Sequence, residues 1–473
     1  MKIRYSKTKI ITTIGPASQN IDVLRKLYEA GMDVVRLNFS HGSYDQHKET
    51  IECIRKTSEL VGEPIPILMD LCGPKLRIGE VEDNVVLKEG DIIFITTKEI
   101  KGNKDRISTN YDKLLEDIQP EEFILIDDGL LKLKVLEVNS KEAKCEVIYG
   151  GPLKSKKGIN LPGVKMSIPS ITEKDKRDLE FGLSQGADFV ALSFVRSHTD
   201  ILELRELMNK LGYSKPIVAK IEKPEAIKDL NAIIRETDMA MVARGDLGVE
   251  LNTEEVPLLQ KLIIERCNYY GRPVITATQM LESMINSPRP TRAEASDVAN
   301  AVLDGTDAVM LSAETSVGLY PVETVKTMDN IIRKIEEKRK PLKDFTFTLK
   351  DENYHLIDGM SKSACQLAND IKASAILVVT RTGRTAKLLS RYRPNTPIIA
   401  FTDSIDVIKQ LNLVWGVKAE QIHGFADTDT TLNNIKEHAH KLGLVRKGDL
   451  VIFVAGIPIV ESNYINMIKT DTI

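Results

Sequence analysis

An α/β fold built on eight parallel strands is what this sequence predicts, and three observations carry the prediction. Short apolar runs alternate with helical stretches, the pattern of a parallel sheet crossed by helices. The alternation stops after the third strand for a long run of short β segments, then resumes for five more strands. Beyond the polar stretch Leu342–Asn353 it begins again as a smaller, separate unit.

In order along the chain, strand one is Lys9–Ile14. Residues Asn20–Ala30 carry Ile21, Leu24, Leu27 and Tyr28 at helical spacing and close on Gly31. Strand two is Asp33–Leu37, a helix follows around His47–Leu60, and strand three is Ile65–Asp70. From Cys72 to about Ser167, turn signals recur at Gly90-Asp91, Asp128-Gly129, Asn139-Ser140 and Gly150-Gly151-Pro152. Phe123–Asp127 and Leu130–Val138 flank the Asp-Gly pair as a hairpin. Thr172 and Asp175 then open a helix with a capping-box pattern.

Strands four to eight are expected at Phe189–Phe194, Ile217–Ile221, Met239–Ala243, Val274–Ala277 and Ala308–Leu311. Eight is the count of a closed β/α barrel, but an open doubly wound sheet shares the periodicity, which does not report closure. A charged helix, Ile331–Lys340, ends before Pro341. The last unit has strands at Ala375–Val379, Ile398–Phe401, Val417–Ile422 and Leu450–Val454. The units expected are 1–71 with 168–340, then 72–167 as an all-β insert, then 341–473.

Composition excludes several classes. With 42% apolar and 28% charged residues, the 473-residue chain is neither disordered nor fibrous. Its 65 basic and 68 acidic side chains supply no general attraction for nucleic acid or an anionic membrane. No apolar run approaches the ~20 residues that cross a bilayer. The basic start, Met1–Lys7, runs straight into strand one with no signal-peptide core behind it. The cysteines (Cys53, Cys72, Cys145, Cys267, Cys365) are scattered, which argues against a disulfide framework or a cysteine zinc site. A cytoplasmic protein is expected.

The chemistry is expected where strands end, because reactive groups of such barrels gather at the C-terminal rim. Strand two ends in Arg36-Leu37-Asn38-Phe39-Ser40-His41-Gly42 and strand three in Met69-Asp70-Leu71-Cys72-Gly73-Pro74-Lys75. Strand five ends in Lys220-Ile221-Glu222-Lys223-Pro224, strand six in Arg244-Gly245-Asp246-Leu247-Gly248. Strand seven gives Thr276-Ala277-Thr278-Gln279-Met280, strand eight Ser312-Ala313-Glu314-Thr315. One polar strand end is only a strand meeting water; six on one rim are a site. Glu222 and Asp246, from adjacent strands, suit one hard cation held through oxygen. Lys220 and Arg36 place positive charge where a transferring phosphoryl group spreads its own. Gly245 lets backbone N–H groups approach an anion.

Longer motifs carry a resemblance. Lys220-Ile221-Glu222, Met241–Glu250, Ala277–Met284, Pro288-Arg289-Pro290-Thr291-Arg292-Ala293-Glu294, Thr13–Ser18 and Arg36–Gly42 resemble pyruvate kinase. The resemblance is collinear from about residue 8 to residue 340 and continues more weakly through Thr380–Thr385 and Arg391–Pro394. It implies a (β/α)8 TIM barrel, an inserted small β-barrel lid at 72–167 and a C-terminal α/β regulatory domain. It also implies magnesium- (or manganese-) dependent phosphoryl transfer from phosphoenolpyruvate to ADP, giving pyruvate and ATP, by a homotetramer.

Carried over by position, Glu222 and Asp246 would bind magnesium and Lys220 would stabilise the phosphoryl group in transit. Arg36 would grip the substrate phosphate, with Thr278, Gly245 and Asp246 on its carboxylate. Asn38, His41, Arg77 and Lys157 match nucleotide contacts. Protonation of the enolate is expected through a water relay near Thr278, Ser312 and Glu314. Asn38, Ser40, Asp70 and Leu71 match the family's monovalent-cation site, expected here to be vestigial. Lys75 stands where potassium-dependent members have glutamate, and Leu71 and Cys72 stand where they have threonine and lysine. This resembles the potassium-independent branch, with Lys75 taking the cation's part and potassium not required. Thr380, Arg381, Thr382, Gly383, Arg384 and Thr385 match an effector-phosphate pocket. Glu461, where a glycine-rich run is expected, disfavours a second phosphate, so a monophosphate effector or none is expected. Two other readings share parts of the pattern: a metal-dependent barrel lyase or aldolase acting on pyruvate-like acids, and a silent metabolite-binding paralogue. Nucleotide-dependent pyruvate release separates both from the kinase.

Overall fold

The computed structural model describes residues 6–338, 352–422, 427–459 and 465–473. The extreme start, the expected helix end at Lys340, most of the polar stretch after it and Glu461 lie outside the described residues.

The eight expected strands are β1 (Lys9–Thr13), β2 (Val34–Asn38), β3 (Ile67–Asp70), β4 (Phe189–Leu192), β5 (Ile217–Ile221), β6 (Met239–Ala243), β7 (Val274–Ala277) and β8 (Ala308–Leu311). They close into a barrel in which each strand pairs in parallel with its sequence neighbours. The closing ladder, invisible to periodicity, runs from Lys9 opposite Ala308 to Thr12 opposite Leu311. Buried strands alternate between two apolar layers. Ile11, Val34, Leu68, Phe189, Val218, Met241 and Ile275 fill the barrel, while Ile10, Val35, Ile67 and Val190 pack under the helices. The helix Glu173–Ser184 starts at the capping box anticipated at Thr172 and Asp175. β4 stops earlier than expected because Phe194 turns to φ +55, a conformation that ends a ladder.

The insert after β3 has its own core around Ile93, Ile95, Ile124, Leu133 and Val147. Its six-stranded sheet runs from Ile159–Asn160 through the hairpin Phe123–Ile126 and Leu131–Val138, then Glu142–Tyr149 and Ile92–Thr96, to Arg106–Ser108. The segment around Arg77 and Ile78 lies between the two outer strands, bridging Gly158 on one side and Thr109 on the other. The Ile78 N–H donates to the Lys157 carbonyl (2.9 Å) and the Gly79 N–H to that of Ser108 (2.8 Å), so the curled sheet has few free edge groups.

The C-terminal unit has a five-stranded sheet, ordered Val417–Gln421, Ile398–Thr402, Ala375–Val379, Leu450–Ala455 and Met467–Thr472. The last strand, antiparallel to its neighbour, was not anticipated: Met-Ile-Lys-Thr-Asp-Thr is polar and half-exposed, so it lacks the apolar run that marks a buried parallel strand. This unit docks on the end of the barrel opposite the strand C-termini. Leu413 joins the cluster of barrel-interior side chains, Lys9 Nζ donates to the Val417 carbonyl (3.0 Å), and Lys409 pairs with Asp188 (2.8 Å). No helix among the described residues is long and apolar enough to cross a membrane.

Candidate active site

At the C-terminal rim, four strands build one charged cluster. Arg36, at the end of β2, forks onto Asp70 of β3, with Nε 2.8 Å and Nη2 2.7 Å from Oδ2. Its Nη1 donates to the Thr13 hydroxyl of β1 (3.0 Å). Lys220 of β5 lies 2.9 Å from Glu222 Oε1 and 3.3 Å from Asp70 Oδ1, and donates to Ser193 Oγ (2.7 Å). Burial opposes ionisation of both Asp70 and Lys220, but opposite charges override it. Lys220 and Arg36 hold the Asp70 carboxyl below its ordinary range. Asp70, Glu222 and Asp246 raise the Lys220 ammonium, which stays charged.

Glu222 is 1% exposed. Its Oε2 accepts the Phe194 N–H (2.8 Å), which the positive φ of Phe194 turns towards it. Its Oε1 has the ion contact with Lys220 but no well-directed hydrogen bond. Burial and the nearby Asp246 charge push this carboxyl upward against the pull of Lys220. Two such carboxylates, one with an unsatisfied buried oxygen, fit a hard divalent cation. No third acidic, histidine or cysteine side chain completes a cage among the described residues. Substrate oxygens and water would therefore fill the rest of its shell, the arrangement typical of magnesium.

Beside this cluster, Thr278 Oγ accepts the Gly245 N–H (2.8 Å) and donates to the Ala277 carbonyl (2.6 Å). Thr278 and Gln279 have φ values of +68 and +54, costly for a β-branched residue. Arg244 braces that turn: Nη2 donates to the Thr278 carbonyl (2.6 Å), Nε to that of Ala277 (3.2 Å), and Nη1 pairs with Asp297 (2.7 Å). The sequence motifs include Arg244 and Thr13 without giving either a task, and Ser193 was passed over. A basic residue opening the Gly-Asp turn was the available signal. Glu314 is 2% exposed and holds backbone with both oxygens, the N–H of Ser312 (2.6 Å) and of Leu281 (3.3 Å). Burial raises its carboxyl.

Three of the four expected monovalent-cation positions, Asn38, Asp70 and Leu71, have their oxygens in internal contacts, Ser40 being the fourth. Asn38 Oδ1 accepts the Ser40 N–H (3.1 Å), Asp70 is held by Arg36 and Lys220, and the Leu71 carbonyl accepts Ser193 Oγ (2.8 Å). Of the expected nucleotide residues, Asn38 ends β2, His41 follows it, and Arg77 and Lys157 belong to the insert. His41 has its imidazole pKa lowered by burial and then by Lys75, Arg77, Arg36 and Lys174, which therefore converge on it. Arg77 donates to the Lys156 carbonyl (2.6 Å) and Lys157 pairs with Asp127 (2.9 Å), both within the insert. A cleft of about 470 Å³ between insert and barrel is lined by Lys75, Asn160, Phe194, Lys223 and Asp246. Asn160 reaches across to Glu250 (2.8 Å), which also holds Lys223 (2.7 Å). Thr380–Thr385 stands far along the chain in the C-terminal unit, at a strand-to-helix turn closed by the Gly383 N–H on Thr380 Oγ (2.9 Å). Arg381, Thr382 and Arg384 are exposed there.

Comparison with known proteins converges on one family. Residues 5–325 match the model for the pyruvate kinase barrel domain, and residues 358–470 that for the pyruvate kinase alpha/beta domain. Pyruvate kinases of Staphylococcus aureus strains MRSA252 and USA300 are each 45% identical over 466 residues, covering 98% of this chain and 80% of theirs. The crystal structure of a pyruvate kinase from Cryptosporidium parvum superposes with a TM-score of 0.90 at 36% identity, covering 98% of this chain and 96% of that one. With both of its units matched and the fold shared nearly end to end, the chain belongs to the pyruvate kinase family.

Proposed function

We propose that this chain transfers the phosphoryl group of phosphoenolpyruvate to ADP, with magnesium and without potassium. The observation that carries the reading is the buried Lys220 ammonium, set between Asp70 and Glu222 with Arg36 beside it. Glu222 and Asp246 would hold magnesium, which when bound supplies positive charge to the substrate oxygens. Arg36 and Lys220 bind and orient the phosphoryl group. The Thr278 hydroxyl and the backbone of Gly245 and Asp246 orient the carboxylate. The bond from phosphorus to the enol oxygen breaks as one forms to a terminal oxygen of ADP. The enolate left behind is stabilised by Lys220 and takes a proton at carbon from water ordered near Thr278 and Ser312. Glu314, engaged with backbone, positions Ser312 in this scheme.

Asn38, His41, Arg77 and Lys157 would receive the nucleotide, and the insert (72–167) would close over it as a lid, excluding water. A homotetramer follows from the family alone. The direct test is a coupled assay for pyruvate release. Release that requires both ADP and magnesium supports the reading, and ADP-independent release would assign a lyase instead.

The His41 environment gives a pH expectation. In the free chain burial, and then four neighbouring cations, disfavour the charged form of its imidazole and lower its pKa. Bound ADP brings negative charge to those cations and should move the midpoint upward. Proton NMR of the ring should show a midpoint below the ordinary imidazole value that rises with ADP. A free-chain midpoint at or above that value would contradict the convergence.

Regulation is expected at Thr380–Thr385, by a monophosphate or by nothing. Strong activation of initial rates by fructose 1,6-bisphosphate would refute this.

A further inference from the structure

The insert reaches the barrel rim through a side-chain contact that the proposed reaction does not use. Its two connecting segments are pinned where they leave the barrel. Asp175 Oδ1 accepts the Gly73 N–H (3.0 Å), and Arg196 donates to the Met166 and Ile168 carbonyls (2.9 Å each). Across the cleft itself, the one side-chain hydrogen bond from insert to rim among the described residues runs from Asn160 Nδ2 to Glu250 Oε1 (2.8 Å). The same oxygen accepts from the Lys223 ammonium (2.7 Å). Glu250 and Lys223 are each 4% exposed, and Glu250 Oε2 is buried without a hydrogen-bond partner. A buried carboxylate held through a single oxygen depends on both of that oxygen's donors.

Glu250 closes the helix Arg244–Glu250, one turn beyond Asp246 on the same face. Lys223 directly follows Glu222 in the chain. Its ammonium lies 5.5 Å from the centre of the Phe194 ring, and the Phe194 N–H holds Glu222 Oε2. The Glu250–Lys223 pair therefore spans the gap between the segments that carry Glu222 and Asp246, and Asn160 attaches the insert to that bridge. We propose that Glu250 is a positioning residue that couples seating of the insert to the spacing of Glu222 and Asp246. Affinity for a divalent cation then depends on one amide donor in the insert. The inference rests on the reading of Glu222 and Asp246 as the metal carboxylates.

Divalent manganese is the probe, its binding to the full chain read by electron paramagnetic resonance with neither substrate nor nucleotide present. Glu222→Gln tests the metal reading alone. Binding that survives it overturns that reading and the coupling built on it. Asn160→Ala should weaken binding about fivefold or more, the lower end of ordinary coupling between sites. Asn160→Leu, which keeps the volume but not the donor, should do the same, whereas a contact that matters only through packing would be restored by it. Lys223→Met combined with Glu250→Gln removes both buried charges together, so neither is left unpaired, and should weaken binding by a similar factor. In that background Asn160→Ala should have no further effect, because its route to the two carboxylates is already gone. The coupling is overturned if Asn160→Ala binds manganese within about twofold of wild type, or if its effect persists undiminished in the combined variant. Either result leaves Glu222 as a ligand.

Discussion

Lys220→Met is expected to reduce turnover by on the order of 10³-fold or more, the scale set by other fixed cations in phosphoryl transfer. The lysine is nearly isosteric with methionine, so the substitution removes charge rather than volume. In the wild type the ammonium is fixed by Asp70, Ser193 and Glu222 before substrate arrives, so little reorganisation is left for the reaction itself. The same geometry sets a stability cost. Asp70 keeps Arg36, but Glu222 loses its cationic neighbour, and breaking a buried pair costs about 3–5 kcal/mol. A lowered but cooperative melt, partly restored by magnesium, should therefore accompany the loss of activity. Single-turnover measurement on the folded variant separates the two effects. A rate within tenfold of wild type would end the assignment of Lys220 to the transferred group.

The barrel was legible because buried parallel strands are short apolar runs, and β5 to β8 fall on the residues such runs mark. Closure was not legible, because it depends on register between β1 and β8, nearly three hundred residues apart in sequence. The terminal strand Met467–Thr472 escaped for the opposite reason: it is an edge with polar side chains, paired through backbone groups that composition does not report. Within the candidate site, charged residues at strand ends announced themselves, whereas Thr13 and Ser193 did not. A hydroxyl in a strand is ordinary until its partners are known. Phe194 shows the same limit. Its apolar side chain extended the expected strand, while its backbone leaves the ladder to donate to Glu222. Polar satisfaction at a buried carboxylate prevailed there over local strand propensity.

Lys75→Glu should convert a potassium-indifferent enzyme into one that needs potassium. The wild type is expected to be fully active with sodium or tetramethylammonium as the only monovalent cation, magnesium being present. Lys75 is exposed on the wall of the cleft that also holds Asp246, and its charge reaches His41 together with those of Arg36 and Arg77. A tethered ammonium there adds to the positive surroundings of the phosphoryl group without a binding equilibrium. Three of the four groups that would ligate a free cation already have partners: Asn38 in Ser40, Asp70 in Arg36 and Lys220, and the Leu71 carbonyl in Ser193. Reversing the charge at Lys75 should cost roughly 10²-fold in kcat without potassium, comparable to losing one fixed electrostatic contact in a catalytic site. Potassium should restore part of this, drawn in by the new carboxylate. Recovery should stay incomplete, because the Leu71 side chain offers no hydroxyl and Asp70 remains committed to Arg36. Initial rates at matched ionic strength, with potassium replaced stepwise by tetramethylammonium, read both effects. A steep potassium requirement in the wild type would remove Lys75 from this role while leaving membership of the family untouched.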